Sequence, residues 1–541
     1  MIKICKSLLI VPFALLGKSV FAQQVQLSPE VKQALSEVSA DKIKADITYL
    51  ADDKLKGRAP GSEGYQMAVD YVIAQLKAVN VKPAGENGTW LQKVRLRKAF
   101  IKNSALAITG PTSIAAPPRS FVIYPNPVVD TVKLSAGLVF AGYGISEPAL
   151  GYDDYAGMDV KGKIVIVMRG SPQKFSSSVA AHVMNSTQIL KVAAEHGAVG
   201  VMIGNADSTA RMGNVSRGVY SIMDDKGDVS ISRTYYSKEL SVYGALSYSL
   251  FNALVRQSGQ DLQQIPAKLK AGQPTSFAIN GGVNIGYSST YQDILSYNVV
   301  GKVDGSDSKL KKEYVVHSAH LDHLGIGMPV QGDSIYNGAH DNASGVASVI
   351  SIAKIYSGIK VKPKRSILFV LMTGEELGDL GSGYFAKHPT VPGKSLVADV
   401  NTDMPTIIAP LLSVTALGAE HSSLANQVAQ AAGYFDLAVE PDPEPAQARF
   451  TRSDQYSFVV QGIPALHIKY GSKTADGKNN LNDIVGPWRA KYYHKPQDDI
   501  NGMFDFEAGK KYAQLNFLIG YLVAQDTARP TWNKGDIFET K

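Results

Sequence analysis

Ser366-Ile367-Leu368-Phe369-Val370-Leu371-Met372-Thr373-Gly374-Glu375-Glu376-Leu377-Gly378 is the stretch on which the reading of this chain turns. An unbroken apolar run closed by a glycine turn is the pattern of a strand buried on both faces; a half-solvated strand would alternate. Two adjacent carboxylates follow the strand. Side by side they repel each other, and the flanking Gly374 and Gly378 permit close backbone approach. A cation bound by one of them relieves the repulsion and leaves the other free to carry a proton.

The same texture repeats on either side. Apolar strands are predicted at 313–319, 366–373, 396–402 and 463–469, separated by helices at about 342–357, 421–434 and 505–524. Strand and helix in alternation predict an α/β fold with a mainly parallel sheet flanked by helices. Ligands in such folds lie beyond the carboxyl ends of the strands. Three of these ends carry suitable side chains: His320, the pair Glu375-Glu376, and Asp403. Two more candidates sit in loops, Asp341 in Gly338-Ala339-His340-Asp341-Asn342-Ala343-Ser344-Gly345 and His494 in Tyr492-Tyr493-His494-Lys495-Pro496.

Two imidazoles and three carboxylates, His320, Asp341, Glu376, Asp403 and His494, suit a pair of Zn²⁺ ions with one carboxylate bridging. That donor set belongs to hydrolases that activate water. Asp341 is preferred to His340, because a carboxylate bridges two cations as it stands and an imidazole must first lose its second proton. Asp322 is placed to fix the tautomer of His320. Strand alternation and the following turn direct His323 elsewhere. Each residue also has a plainer reading: Asp341 as a helix N-cap, Asp403 as a turn acid, His494 as a loop histidine. Arg452-Ser453-Asp454 and Gly462-Ile463-Pro464 read equally well as pocket walls or as a turn and a strand entry.

At 541 residues the chain exceeds one ordinary core. Two helices are expected from about Ser39 to Leu76, capped at Ala40-Asp41 and interrupted at Gly57-Arg58-Ala59-Pro60-Gly61-Ser62. From Gly137 to about Phe277 short strands and turns replace helical texture, which marks an inserted β-rich domain. The expected divisions are 1–22, 23–136, 137–277 and 278–541. Residues 1–22 read as a signal peptide, with Lys3 and Lys6 before the apolar Leu8–Leu16 and Val20-Phe21-Ala22 at the cleavage point. The apolar run is shorter than the ~20 residues of a spanning helix, so no stable membrane insertion is expected after cleavage, and the location is periplasmic or secreted. The only cysteine, Cys5, would leave with that segment. Cleavage also removes Lys3, Lys6 and Lys18, so the net charge of +7 falls by three to +4. Such a weak surplus, with no Lys/Arg cluster interleaved with aromatics, argues against nucleic acid as a partner.

The blocks Ser318-Ala319-His320-Leu321-Asp322-His323, Gly338 to Gly345, Thr373 to Gly378, Val400-Asn401-Thr402-Asp403-Met404 and Tyr493 to Pro496 resemble, in order, those of peptidase family M28, the co-catalytic zinc aminopeptidases. The block 137–277, with Gly142-Tyr143-Gly144-Ile145 and Tyr152-Asp153-Asp154-Tyr155-Ala156-Gly157, resembles the protease-associated (PA) domain that many members carry as an insert. Leu50-Ala51-Asp52-Asp53 with Gly57-Arg58 resembles the family's N-terminal approach segment. The resemblance implies a zinc-peptidase fold. It implies His320 and Asp403 on one zinc, Glu376 and His494 on the other, Asp341 bridging, Glu375 as the catalytic base and Asp322 as the orienting acid. His340 departs from it, standing where many members have Asp. The expected function is an exported di-zinc aminopeptidase that acts on peptides through a metal-activated water. The alternatives are a carboxypeptidase of the same fold acting on C-terminal acidic residues, or a receptor-like binding protein. A carboxylate-rich centre favours a free α-amine and disfavours an acidic substrate tail. A carboxypeptidase would need basic side chains at the pocket, and the sequence by itself does not place them.

Overall fold

Alternation along Ile367–Met372 explains why that run is apolar throughout. In the computed structural model, which describes residues 25–110 and 114–539, Ile367, Phe369 and Leu371 enter one core and Leu368, Val370 and Met372 another, on opposite faces of one sheet. All six are fully buried, each side chain contributing about 1.5–3 kcal/mol relative to exposure. The expected signal peptide and Cys5 lie outside the described residues.

The centre of the sheet is parallel. Strand Ser366–Met372 pairs with Tyr314–His320, which pairs with Leu396–Asn401, and that strand pairs with Ala465–Tyr470. Antiparallel neighbours close both sides: Ser276–Val303 against Ser366–Met372, and Ser413–Leu417 against Ala465–Tyr470. Helices Ser344–Gly358 and Phe506–Gln525 cover one face, through residues such as Val346, Ile350, Phe517 and Ile519. Helices Leu380–Lys387 and Gln455–Val459 cover the other, through Phe385 and Phe458. The α/β class with a mainly parallel core is therefore observed, and element ends fall within a few residues of expectation.

Upstream, helices Ala40–Leu50 and Glu63–Ala78 are capped by Ser39 and Ser62, whose side chains accept from Lys42 N and Tyr65 N. The expected cap at Ala40-Asp41 is thus one residue late: a serine hydroxyl reaches the first-turn amides and Ala40 has no acceptor. Gly57, between the helices, has φ +69, and a Cβ there would lie 2.4 Å from the Tyr336 carbonyl oxygen. Close approach fixes this glycine.

The β-rich region contains its own parallel strands, Thr131–Ala141, Ile164–Val167, Gly200–Gly204 and Val242–Leu246, with apolar cores on both sides. One strand joins the two regions. Ser276–Val303 pairs Phe277 with Phe140 at its start and Val299 with Leu371 near its end. Strand Leu91–Thr109 runs antiparallel beside it from Val299 to Gly282.

Candidate metal centre

His320 is the last residue of its strand, Glu375 and Glu376 follow Ser366–Met372, and Asp403 follows Leu396–Asn401. Parallel strands end at a common edge, so residues far apart in sequence meet there. The turn Ala339–Ala343, ahead of helix Ser344–Gly358, brings Asp341 to the same edge, and the segment after helix Leu481–Tyr492 brings His494. All five expected ligands converge. Asp341 Oδ1 lies 3.3 Å from His320 Nε2, and Asp403 Oδ1 lies 3.3 Å from the same nitrogen. Asp341 Oδ2 lies 3.2 Å from His494 Nε2, which lies 3.2 Å from Glu376 Oε2.

These spacings fit zinc. Tetrahedral donors about 2.0–2.1 Å from an ion stand roughly 3.3 Å from one another. Asp341 offers one oxygen to each group of donors. Glu376 Oε1 and both ring nitrogens of His323 are buried without a hydrogen-bond partner, as donors awaiting a cation are. Four carboxylates so close together, two of them buried and two half-buried, require positive charge.

The imidazoles feel that charge. Against the cost of burial, Asp341 and Glu376 raise His494 to about 10, and Glu375, Asp341 and Asp403 hold His320 well above the usual histidine range. Against burial, His320 and His494 hold Asp341 well below the usual carboxylate range. Burial holds the Glu375 carboxyl well above that range; Asp379, Glu376 and Asp403 add to this and His320 opposes it.

Asp322 acts through two groups. Its backbone carbonyl accepts from His320 Nδ1 at 3.1 Å, which leaves Nε2 as the free donor of that ring. Its carboxylate turns the other way and accepts from the amides of Glu375 (3.2 Å) and Glu376 (3.4 Å). His323 does not point away as expected: its Nδ1 lies 2.6 Å from Glu376 Oε1, in a geometry that makes no hydrogen bond. The strand ends at His320, so strand alternation no longer governs residue 323. His340 faces away from the centre. It stacks on Phe504 at 4.0 Å, meets the Met503 carbonyl at 3.0 Å, and burial lowers it to about 4.

Three further residues, to which the sequence reading gave no role in the centre, support it. Asp498 accepts from the amides of His340 (2.9 Å) and Asp341 (3.1 Å), tying the His494 segment to the Asp341 turn. The side chain of Asn342 accepts from Gly345 N and Met404 N and donates to the Thr402 carbonyl, joining the Asp341 turn to the Asp403 loop. Arg58, fully buried, donates to the carbonyls of Leu50, Leu321, Asn337 and Gly338. The resemblance had singled out the segment that contains Arg58, but three of its four partners lie more than 260 residues away in sequence.

A small, partly open recess of about 40 Å³ adjoins the centre. One wall is acidic, formed by Asp341, Glu375 and Asp403; the other carries Arg449, Arg452, Lys469 and Arg489. The expectation that this surrounding disfavours an acidic substrate group overlooked the second wall. Its cations come from three segments and meet only in the fold. The segment Arg452-Ser453-Asp454 divides: Arg452 faces the recess, Ser453 accepts from Asn401 behind the strand end, and Asp454 is buried, its carboxyl pushed up to about 8 by burial.

Residues 298–516 match peptidase family M28, and residues 126–235 match the PA domain. Among curated proteins, the probable leucine aminopeptidase 2 of Aspergillus oryzae is 24% identical over 311 residues, covering 54% of this chain and 58% of that protein. Carboxypeptidase Q of Rattus norvegicus is 34% identical over 123 residues, covering 22% and 24%. The chain thus spans less than two thirds of the curated relatives it matches. Among solved structures, the aminopeptidase from Aneurinibacillus sp. strain AM-1 aligns over 92% of this chain and 97% of its own, at 19% identity and a TM-score of 0.48.

Proposed function

For a chain that resembles peptidase family M28 and carries a PA domain, we propose that the centre holds two zinc ions and that the protein is an exported aminopeptidase. The observation that carries this reading is Asp341, whose two carboxylate oxygens face His320 on one side and His494 on the other. In this assignment His320 and Asp403 would hold one ion, Glu376 and His494 the other, and Asp341 would be shared between them. His323, beside Glu376, is a further donor on the second side. Zinc held there would supply Lewis-acid polarisation of the scissile carbonyl and a more acidic water.

The chain's own groups supply the rest. Glu375 has atoms within 4.8 Å of those of His320 and Asp403 and is not needed as a ligand. Its carboxylate takes the proton from the attacking water and delivers it to the leaving amine nitrogen. Asp322 orients both ends of this device, His320 through its carbonyl and the Glu375 amide through its carboxylate. The acidic wall of Asp341, Glu375 and Asp403 offers the substrate's α-ammonium a negative partner. A complete donor set argues against a receptor-like binding protein.

Purified mature protein loaded with zinc is expected to hold about two ions per chain and to hydrolyse peptides with a free N-terminus. Chelation is expected to abolish hydrolysis, and N-acetylation of the substrate to block it. Saturation near one zinc would remove the bridging role of Asp341. Equal cleavage of acetylated peptides ending in Glu would replace the aminopeptidase by the carboxypeptidase, the second reading, which the Arg/Lys-lined recess favours.

A further inference from the structure

The basic wall of the recess exceeds what the centre itself requires. Two dications would match Asp341, Glu375, Glu376 and Asp403 charge for charge, so the nearby cations are not needed to neutralise them. Arg449 is committed elsewhere, paired with Asp442 and, at 3.3 Å, with Glu444. The other three have no carboxylate within ion-pair distance among the described residues. Lys469 is buried and donates only to the backbone carbonyls of Asp403 (2.8 Å) and Met404 (3.0 Å). Arg489 donates at 3.4 Å to the Gln447 side chain and lies 4.7 Å over the Tyr493 ring. Arg452 is exposed at the rim. A buried ammonium held only by carbonyls is costly.

We infer that this recess is a carboxylate subsite, and that the preferred substrates carry a carboxylate next to the scissile bond. The inference deepens the peptidase reading and rests on it. The position follows from the walls: Lys469 binds the backbone oxygen of Asp403, itself an expected ligand, and Asp341 and Glu375 line the same recess. Because Asp341 and Asp403 are themselves expected ligands, an anion seated there would lie beside the reacting group. The planar guanidiniums of Arg452 and Arg489 suit a carboxylate's two oxygens. Two sources supply that group: the side chain of an N-terminal Glu or Asp, or the free C-terminus of a dipeptide.

Zinc-loaded full-length protein separates these sources. One arm compares kcat/KM for Glu-p-nitroanilide with Gln- and Leu-p-nitroanilide; the other compares Ala-Ala with Ala-Ala-amide. The carboxylate member of at least one arm is expected to lead by roughly ten- to a hundredfold, the value of a charged hydrogen bond in a partly desolvated site. Arg452→Met and Arg489→Met are expected to pull that ratio towards one, and Arg489→Lys to restore part of it. A merely structural loss would lower every substrate together and leave the ratio standing. Ratios near one in both arms of the wild-type enzyme overturn the subsite while leaving the peptidase reading intact, whatever the folding of the variants. No hydrolysis of any substrate overturns the peptidase reading and the subsite with it.

Discussion

Glu375 and Glu376 are neighbours in sequence with different tasks. The Glu376 side chain meets His494 and His323, whereas Glu375 faces the recess and the His320 side of the centre. Asp322 holds both backbone amides, so the pair keeps its orientation when one side chain is altered. Glu375→Gln keeps size and shape and removes the proton carrier. It is expected to retain zinc and melting temperature and to lose at least about a hundredfold in kcat. Near-normal turnover in a fully zinc-loaded Gln variant would take Glu375 out of the mechanism.

Parallel strands deliver three of the site segments, and turns deliver the other two. The turn that carries Glu375 is held from outside the parallel core of the sheet. Asp379 N donates to the Glu375 carbonyl at 2.9 Å, and the Asp379 carboxylate pairs at 2.7 Å with Arg233, which follows the strand Val229–Ser232. Arg233 lies inside the stretch that matches the PA domain. Arg233→Met leaves Asp379 buried beside Glu375 without its cation. Arg233 is partly exposed, so the pair contributes about 1 kcal/mol at most. The expected outcome is a kcat reduced by roughly fivefold with little change in KM, recovered in part by Arg233→Lys. An unchanged kcat would confine the β-rich region to roles remote from the chemistry.

The seam between the two regions extends beyond that pair. His182, on helix Ser177–Val183, meets Tyr456 Oη at 2.6 Å and packs edge-on against Phe538; Ser178 meets His421 Nε2 at 2.7 Å. Burial holds His182 down to about 4, with Lys191 and His421 adding to the shift. The unfolded chain, near 6.5, therefore takes up this proton first as pH falls. Stability from this site is complete above about pH 6.5 and is lost as pH drops towards 4, the loss reaching about 2 kcal/mol at pH 5. Thermal melts at pH 7.5 and 5 are expected to show a smaller acid loss in His182→Asn than in the wild type. Equal losses would assign the acid sensitivity to other groups.

The apolar runs at 314–320, 366–372, 396–401 and 465–470 were legible because a strand buried on both faces must be apolar at every position, and that requirement is local. Four of the five residues that converge on the centre were legible for a related reason: His320, Glu376 and Asp403 lie at strand ends and Asp341 in a glycine-flanked turn, where parallel topology directs side chains to one edge, whereas His494 follows a helix and had only the resemblance to point to it. His323 was misread because the strand stops three residues before it, and only the fold sets where a strand stops. Arg58, Asn342 and Asp498 act through several side-chain hydrogen bonds to backbone groups, most of them distant in sequence, which leave no periodic trace along the chain. The basic wall belongs to the same class. Arg449 and Arg452, Lys469 and Arg489 come from a turn, a strand and a helix, and their charges face one recess only after the sheet has brought those elements together. Burial and periodicity are written residue by residue, whereas the meeting of unlike charges across long loops is a property of packing.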